Sequence, residues 1–342
     1  MDRESKLVER IARALPSQPG RRHDSALRLG IGDDAAIIAS ARKSDWVLSC
    51  DAFLEGVHFL AKSHPPDSVG YKSLVRATSD LAAMGASPRF LLLTLAIPAN
   101  RTGTWLNGFL RGMARAARSM NMILLGGDTT KGNTVSISIT VLGEIARGQA
   151  VTRAGARPGD LIYVSGTLGR AQLGLEILLN ASPRAKGINK AGGPEFRRLL
   201  RPHLYPGIKL GLGAWLAKHR IPSAMMDISD GLSTDLARLC AASRVGAQIH
   251  SKSVPRVVLP EALSKHLKRL KLDPLNLALH GGEDYELLFT VSPRNTQKLT
   301  DAPGFSQLTA IGEVTRGKSV TLISPDGSKR PLASRGWDPF RS

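Results

Sequence analysis

Apolar side chains recur along the first half of the chain in two patterns, one at helical spacing and one in unbroken runs. The helical pattern predicts helices over residues 5–15, 68–84 and 104–120. The unbroken runs predict strands over residues 35–38, 46–49, 90–97, 122–125 and 135–143. Between the last two runs lies GGDTTKG, residues 126–132, which we expect to form a turn because it opens with two glycines. Together these elements predict one α/β half.

A Gly- and Pro-rich segment, AGARPG at residues 154–159, separates this half from the rest of the chain. We therefore place a domain boundary near residue 150, giving predicted domains at residues 1–150 and 151–342. The second half has the same alternation of patterns. Its predicted helices are residues 172–179, 209–218 and 232–243, and its predicted strands are residues 161–165, 247–250, 285–291 and 308–314. The predicted class is α/β, or α+β, with two similar open sheets.

Composition agrees with a folded two-domain protein, because 42% of the 342 residues are apolar and 22% are charged. The first 20 residues carry several charges, and no segment reaches the roughly 20 apolar residues that span a bilayer. We therefore expect a cytoplasmic protein with no membrane partner. Its two cysteines, Cys50 and Cys240, have no CxxC spacing and predict neither a disulfide framework nor a zinc site.

The net charge is +19, from 47 Lys and Arg against 28 Asp and Glu, which raises the alternative of a nucleic-acid-binding protein. The basic residues are dispersed rather than gathered in one tail, and aromatic residues make up only 5% of the chain. A protein surface that binds single-stranded nucleic acid needs aromatic side chains between the basic ones, because the bases stack on them. We therefore expect no specific nucleic-acid partner.

Acidic residues stand out by position rather than by number. Five segments place carboxylates beside glycine or at the end of an apolar run: GIGDD at 30–34, SCD at 49–51, SD at 79–80, GGD at 126–128 and DISDG at 227–231. One such segment alone is typical of a turn or a helix cap. Five of them indicate bound cations, and oxygen donors favour magnesium over zinc.

Phosphate chemistry fits these acidic turns, because Gly126 and Gly127 let the main chain approach a phosphate closely. The chain lacks the P-loop motif, the protein-kinase catalytic motifs and a GxGxxG sequence after a first strand. It also lacks an obvious nucleophile and base pair. We therefore expect metal-assisted phosphoryl transfer in which the protein positions the groups and neutralises charge. If the acceptor is itself a phosphate, no general base is needed.

Eight longer segments follow one another along the chain: GIGDDAAI at 30–37, SCDAFLEGVHF at 49–59, SDLAAMGASPRF at 79–90, GGDTTKG at 126–132, TRAGARPGD at 152–160, DISDGLSTDL at 227–236, GGEDYELLFTV at 281–291 and GWDPF at 336–340. Together they resemble the thiamine-monophosphate kinase family over nearly the whole chain. The GDD and GGD elements mark only the wider aminoimidazole ribonucleotide synthetase-like superfamily, whereas EGVHF, SDLAAMGA, GGEDYEL and the terminal GWD are similar to the kinases.

The resemblance implies a phosphate transfer from ATP to thiamine monophosphate, giving thiamine diphosphate, with several Mg²⁺ ions and no general base. It implies an N-terminal α/β domain that binds metal and nucleotide and whose strands form a dimer barrel, and a C-terminal α/β domain that completes the ATP and substrate site. The implied magnesium ligands are Asp34, Ser49, Cys50, Asp51, Asp80, Asp128, Asp227 and Asp230. The implied ATP contacts are Gly127, Asp128, Arg153 and Ser229, and the implied thiamine-phosphate contacts are His58, Glu283 and Trp337.

Cys50 departs from the family pattern, which commonly has Thr there, so only its backbone carbonyl could act as a ligand. Three of the implied contacts also have ordinary explanations: His58 as a strand histidine, Arg153 as a solvated side chain and Trp337 as a packing residue. An alternative activity is that of another ATP-dependent member of the superfamily, such as a ribonucleotide cyclo-ligase, which would need no pocket for a thiamine ring.

Overall fold

The computed structural model describes residues 27–29, 33–40, 43–180, 193–259 and 272–340. The helix predicted at residues 5–15 lies outside these ranges. The chain divides into two compact units, Val151–Trp337 being one and Met1–Ala150 together with Asp338–Ser342 the other. Each unit contains one sheet and its own helices, which confirms the predicted α/β class.

The first unit is built on a six-stranded sheet with the order β1-β2-β3-β6-β4-β5. Strands β4 and β5 pair in parallel, and the other neighbours pair antiparallel. The strands are β1 (Leu27–Leu29), β2 (Ala36–Ala39), β3 (Ser44–Leu54), β4 (Ser87–Ile97), β5 (Ile123–Lys131) and β6 (Ser136–Ala146). The helices are α1 (Pro66–Ala83) and α2 (Thr104–Ser119), with a short 3₁₀ turn at Ala99–Arg101.

Helix α1 covers one face of this sheet, packing on β3 and β6, and α2 packs on α1. Proline at the start of α1 fits a position whose backbone N–H needs no helical partner. Along β6 the buried Ile137, Ile139 and Val141 alternate with partly exposed residues such as Ser138 and Thr140. This alternation shows that one face of β6 lies in the core, whereas the other face is partly exposed to solvent.

The predicted turn at residues 126–132 is wrong, because β5 continues through these residues to Lys131 and pairs with β4. Gly126 and Gly127 have φ angles of 157° and 153°. A Cβ atom on Gly127 would lie 1.8 Å from the carbonyl oxygen of Leu93. The glycine therefore allows the two strands to approach, rather than reversing the chain.

The second unit is built on a seven-stranded sheet with the order β13-β12-β9-β11-β7-β10-β8, antiparallel except for the pair β12 and β9. Its strands are β7 (Leu161–Ser165), β8 (Pro222–Ile228), β9 (Gly246–His250), β10 (Glu286–Val291), β11 (Leu308–Thr315), β12 (Val320–Ile323) and β13 (Lys329–Pro331). Its helices are α3 (Arg170–Asn180), α4 (Pro194–Leu204), α5 (Leu210–Lys218), α6 (Leu232–Ser243) and α7 (Pro274–His280). Short 3₁₀ segments are Ser251–Ser253, Pro293–Asp301 and Phe305–Gln307.

The core of the second unit lies between this sheet and α6, where Ile162, Met226, Leu236 and Leu288 are almost fully buried. Because β8 lies in this core and runs directly into the DISDG segment, the strand fixes where the acidic loop begins. Across the described part of the chain, no helix has the length and apolarity needed to cross a membrane.

Candidate functional site

The first unit brings two predicted metal ligands together. Asp34 is buried in the turn before β2, where its backbone N–H donates to Asp33 at 2.9 Å, and Asp80 lies in the last turn of α1. Their side chains each offer a carboxylate oxygen within 4.8 Å of the other. The hydroxyl of Ser49 on β3 donates to Asp80. Two carboxylates so close repel one another unless a cation lies between them, and an all-oxygen donor set fits magnesium.

Strand β3 divides the SCD segment between its two faces. Asp51 lies on the α1 side, where the Arg76 guanidinium donates to both of its oxygens, at 2.5 and 3.1 Å. Cys50 points to the opposite, open face, and its sulfur lies 3.5 Å from the hydroxyl of Ser138. The structure therefore separates the Cys50 thiol from Ser49 and Asp51, which leaves the backbone carbonyl as the only donor that Cys50 could offer.

His58 lies in the turn that follows β3. Its Nδ1 atom accepts the backbone N–H of Leu54 at 3.0 Å, and its ring stacks on Phe53 with the ring centroids 5.6 Å apart. Because Nδ1 is the acceptor, the neutral ring carries its proton on Nε2. His58 is thus oriented as a donor through Nε2.

Asp128 lies apart from the other acids of this unit. It is exposed on β5, which forms one edge of the sheet. Across the sheet, Asp128 pairs with Thr94 on β4, Thr94 pairs with Ser138 on β6, and Ser138 pairs with Ala52 on β3. Three strand spacings, roughly 14 Å, therefore separate the backbone of Asp128 from that of β3. Gly127, the neighbouring predicted ATP contact, is fixed by its pairing with β4.

The second unit presents its acids on the DISDG loop between β8 and α6. Asp227 is buried at the end of β8, and Asp230 is 20% exposed and paired with Arg238. The backbone N–H groups of Ser229, Asp230 and Gly231 all donate to a single oxygen of Asp235, at 3.1, 3.0 and 3.0 Å. Asp235 therefore determines the shape of the loop that carries three predicted site residues.

Asp235 is a residue that the sequence interpretation missed. It is fully buried, and burial raises the pKa of its carboxyl well above the usual value. The nearby charges of Asp230 and Asp227 also raise this pKa, while Arg238 and the hydrogen bond from the Asp230 backbone lower it. The available signal was an acid in the first turn of α6, directly after an acidic glycine turn. That signal predicts a helix cap but not a residue that holds three N–H groups.

The GGEDYE segment lies beside this loop and is attached to it by main-chain hydrogen bonds. The N–H of Glu283 donates to the carbonyl of Ser229 at 2.7 Å, and the N–H of Tyr285 donates to Ile228 at 2.9 Å. Both residues have left-handed φ angles, 68° and 50°. Such strained non-glycine residues are concentrated at functional sites. The predicted substrate contact Glu283 is therefore held next to the predicted ATP contact Ser229.

Asp284, between these two residues, turns away to the start of α3. Its carboxylate accepts the backbone N–H groups of Gly169 and Ala171 at 2.6 and 3.1 Å. Burial raises the pKa of Asp284 to about 7, although these two hydrogen bonds act in the opposite direction. Asp284 thus anchors the segment to α3 and was not identified from the sequence.

The C-terminal GWD segment also docks on the DISDG loop. The N–H of Trp337 donates to the carbonyl of Asp230 at 2.9 Å. A Cβ atom on Gly336 would lie 2.0 Å from the same carbonyl oxygen, so only glycine fits there. Trp337 is 46% exposed and borders a cavity of about 400 Å³. Polar side chains at this cavity belong to Gln172, Asp273, Asn276, His280 and Arg335.

Arg153 lies in the irregular segment before β7. Its carbonyl accepts the hydroxyl of Ser243 at 2.9 Å, and the same hydroxyl oxygen accepts the N–H groups of Gly155 and Ala156 at 3.1 Å. The backbone of this segment is therefore fixed to the end of α6. Within the second unit, Glu283 and Trp337 are hydrogen-bonded to the DISDG loop. The backbone of Arg153 is instead hydrogen-bonded to Ser243 at the end of α6.

Comparison with known proteins identifies the two units. Residues 32–145 match the AIR synthase related protein N-terminal domain, and residues 157–324 match the AIR synthase related protein C-terminal domain. Thiamine-monophosphate kinase of Escherichia coli K12 is 37% identical over 316 residues, covering 92% of each chain. The Bacillus subtilis 168 enzyme of the same name is 32% identical over 324 residues, covering 93% of this chain and 95% of the relative.

The structure gives the same result as the sequence comparison. It superposes on AaThiL complexed with AMPPCP and TMP with a TM-score of 0.79 at 32% identity, covering 98% of this chain and 96% of the other. The similarity spans both units. The chain belongs to the thiamine-monophosphate kinase family.

Proposed function

We propose that this chain transfers the γ-phosphate of ATP directly to thiamine monophosphate, giving ADP and thiamine diphosphate. The observation that carries the proposal is the paired carboxylates of Asp34 and Asp80, supported by Ser49, in a chain that matches thiamine-monophosphate kinases over about nine-tenths of its length. The relative complexed with AMPPCP and TMP supports the same two substrates, one a triphosphate and one a phosphate ester.

We propose magnesium as the metal, because the donors that the chain presents are hard oxygen atoms. Bound magnesium would neutralise the charge that develops on the transferred phosphate. The first unit offers Asp34, Ser49, Asp51, Asp80 and Asp128 and the Cys50 carbonyl, and the second unit offers Asp227 and Asp230. Asp51 and Asp230 are paired with Arg76 and Arg238, so magnesium would compete with these guanidinium groups for the two carboxylates.

The remaining work of the chain is positioning. A phosphate acceptor already carries an anionic oxygen, so no side chain has to remove a proton before attack. We assign ATP contacts to Gly127, Asp128, Arg153 and Ser229, since arginine and backbone N–H groups bind phosphate oxygens. We assign the thiamine monophosphate contacts to His58, Glu283 and Trp337. The exposed indole of Trp337 suits a flat cationic ring, and Glu283 supplies the opposite charge.

We also propose that the chain forms a homodimer through the first unit. Every residue of β5 is exposed, and this edge strand carries Ile123, Leu124 and Leu125 at 61%, 55% and 56% exposure. Leu92 on the neighbouring β4 is 38% exposed. An exposed edge strand is a template for pairing with another chain, and a large exposed apolar patch marks an interaction site. A second copy joined at this face would make the dimer barrel.

The cytoplasmic location of the protein stays a prediction.

The dimer is tested by measuring molar mass with light scattering. Leu124→Lys should convert the dimer to a monomer, because it places a charge in the apolar face. Phe305→Lys is the matched control, since Phe305 is an exposed apolar residue of the second unit. A wild-type chain that is monomeric at all concentrations would contradict this part of the proposal.

The activity is tested by measuring ADP release with ATP and Mg²⁺, with and without thiamine monophosphate, and by identifying thiamine diphosphate as the product. Asp80→Asn should lose nearly all turnover, whereas the matched change at the exposed Asp326 should leave it unchanged. A folded protein that hydrolyses ATP with a different phosphorylated acceptor, but makes no thiamine diphosphate, would favour another activity of the superfamily.

A further inference from the structure

The carboxylate of Glu283 is contacted by a buried histidine that belongs to none of the sequence motifs. His203 lies near the end of α4 and is only 1% exposed. Its Nδ1 atom is 3.2 Å from Oε2 of Glu283, whose side chain is 23% exposed. An imidazole removed from water needs a hydrogen-bond partner, and a carboxylate can only accept. Nδ1 therefore donates to Glu283.

The protein holds this histidine firmly. Leu200 and Leu204, on the same helix, belong to an apolar cluster that includes Leu173 and Ile177 of α3. Because closely packed side chains have few alternative positions, α4 cannot slide along α3 without opening a cavity. The imidazole is thus presented to Glu283 from a rigid support.

The contact with His203 limits the positions that the Glu283 carboxylate can take. Its left-handed backbone, with φ at 68°, is fixed by the hydrogen bond from its N–H to Ser229, but this bond leaves the side-chain torsions undetermined. A carboxylate that binds a cationic ligand must stay in one position to contribute to affinity, because ordering it on binding reduces the gain. His203 contacts one oxygen, and the partial exposure of the side chain leaves the carboxylate accessible to a ligand.

We infer that His203 is a positioning residue that orients the Glu283 carboxylate towards the cationic ring of thiamine monophosphate. This inference rests on the proposed function, because that function assigns the substrate contact to Glu283. It adds a residue on α4, about 80 positions before the GGEDYEL motif in the chain, to the group that determines substrate affinity.

The test is a double-mutant cycle with His203→Ala, Glu283→Gln and the double variant, measuring kcat and both KM values. His203→Ala should raise the KM for thiamine monophosphate about tenfold and leave kcat and the KM for ATP within about twofold. In the Glu283→Gln background the same change should alter the KM by less than about twofold. His203→Asn should restore most of the affinity, because the asparagine amide nitrogen lies near the place of Nδ1.

Two controls separate positioning from folding. Leu200→Ala removes apolar packing from the same helix and should lower the melting temperature without a selective rise in the KM for thiamine monophosphate. His219→Ala removes an exposed histidine of the same unit and should leave both KM values unchanged. Additive effects in the cycle, or equal losses for both substrates, would overturn the inference. A wild-type protein that makes no thiamine diphosphate would overturn the proposed function, and the inference with it.

Discussion

The two units hold their acidic residues by different means. In the first unit, the predicted metal ligands Asp80 and Asp51 accept hydrogen bonds from the side chains of Ser49 and Arg76. In the second unit Asp230 also pairs with a side chain, Arg238, but the loop that carries it has its main chain bound by Asp235. Side-chain contacts can be exchanged for a ligand without moving the backbone, whereas the hydrogen bonds of Asp235 set the backbone itself. We therefore expect substitutions in the second unit to cost more stability than those in the first.

Asp235→Ala should have the largest effect. The change leaves three backbone N–H groups and Arg238 without the buried carboxylate that they contact. Removing one partner from such a buried network destabilises a protein by about 3 to 5 kcal/mol. The free energy of unfolding, from urea titration monitored by tryptophan fluorescence, measures the loss.

Asp326→Ala is the matched control for this substitution. Asp326 also accepts a backbone N–H and a hydroxyl, both from Ser328, but it is exposed. Its replacement should change the free energy of unfolding by less than about 0.5 kcal/mol. Equal losses for the two aspartates would show that the buried network does not hold the DISDG loop.

Gly336→Ala should rank next. The new methyl group would lie 2.0 Å from the carbonyl oxygen of Asp230, so the C-terminal segment must move off the loop. Such a clash with main chain destabilises by about 3 kcal/mol, and it also displaces Trp337. Thermal unfolding together with the KM for thiamine monophosphate measures both effects. Gly207→Ala, where an added Cβ meets nothing within 4 Å, should be neutral, and a neutral Gly336→Ala would contradict the docking of the segment.

Asp284 gives the comparison a pH dependence. Its pKa is raised from 3.8 to about 7, so between these values the folded chain keeps a proton that the unfolded chain releases. The protonated Asp284 carboxyl therefore contributes to the free energy of unfolding in full below pH 3.8, and this contribution is lost as the pH rises through about 7. Between pH 5 and pH 8 the wild type should lose about 3 kcal/mol relative to Asp284→Asn. Parallel pH profiles for the two proteins in urea unfolding would contradict this expectation.

Much of the fold followed from local pattern, because strand and helix periodicities are properties of neighbouring residues. The predicted helices at 68–84 and 104–120 match α1 and α2 to within one or two residues. The turn predicted at GGDTTKG failed because glycine permits both a chain reversal and a close approach between strands. Only the pairing of Gly127 with Leu93 on β4 decides between them, and that pairing is not visible in the local sequence.

The sequence identified acids that the structure brings close together where the acid itself carries the signal, as for Asp34 and Asp80. It missed residues whose place in the candidate site depends on contacts between distant segments. His203 lies in a basic amphipathic helix and resembles a surface residue until α4 packs on α3 and places it against Glu283. Asp235 resembles an ordinary acid in the first turn of a helix. Contacts of this kind are set by tertiary packing, which neither spacing nor composition records.

Arg76→Gln should have the smallest effect on stability. Arg76 and Asp51 are 18% and 28% exposed, so water can replace part of the lost ion pair, and we expect a loss of about 1 kcal/mol. If Asp51 binds magnesium, the substitution also removes its competitor, so added Mg²⁺ should raise the melting temperature more in the variant than in the wild type. Arg89→Gln is the matched control, because Arg89 pairs with Glu144 at 4.0 Å near the surface. A loss as large as that of Asp235→Ala would contradict the comparison, since the side-chain pairs of the first unit would then support their acids as strongly as the buried network of the second.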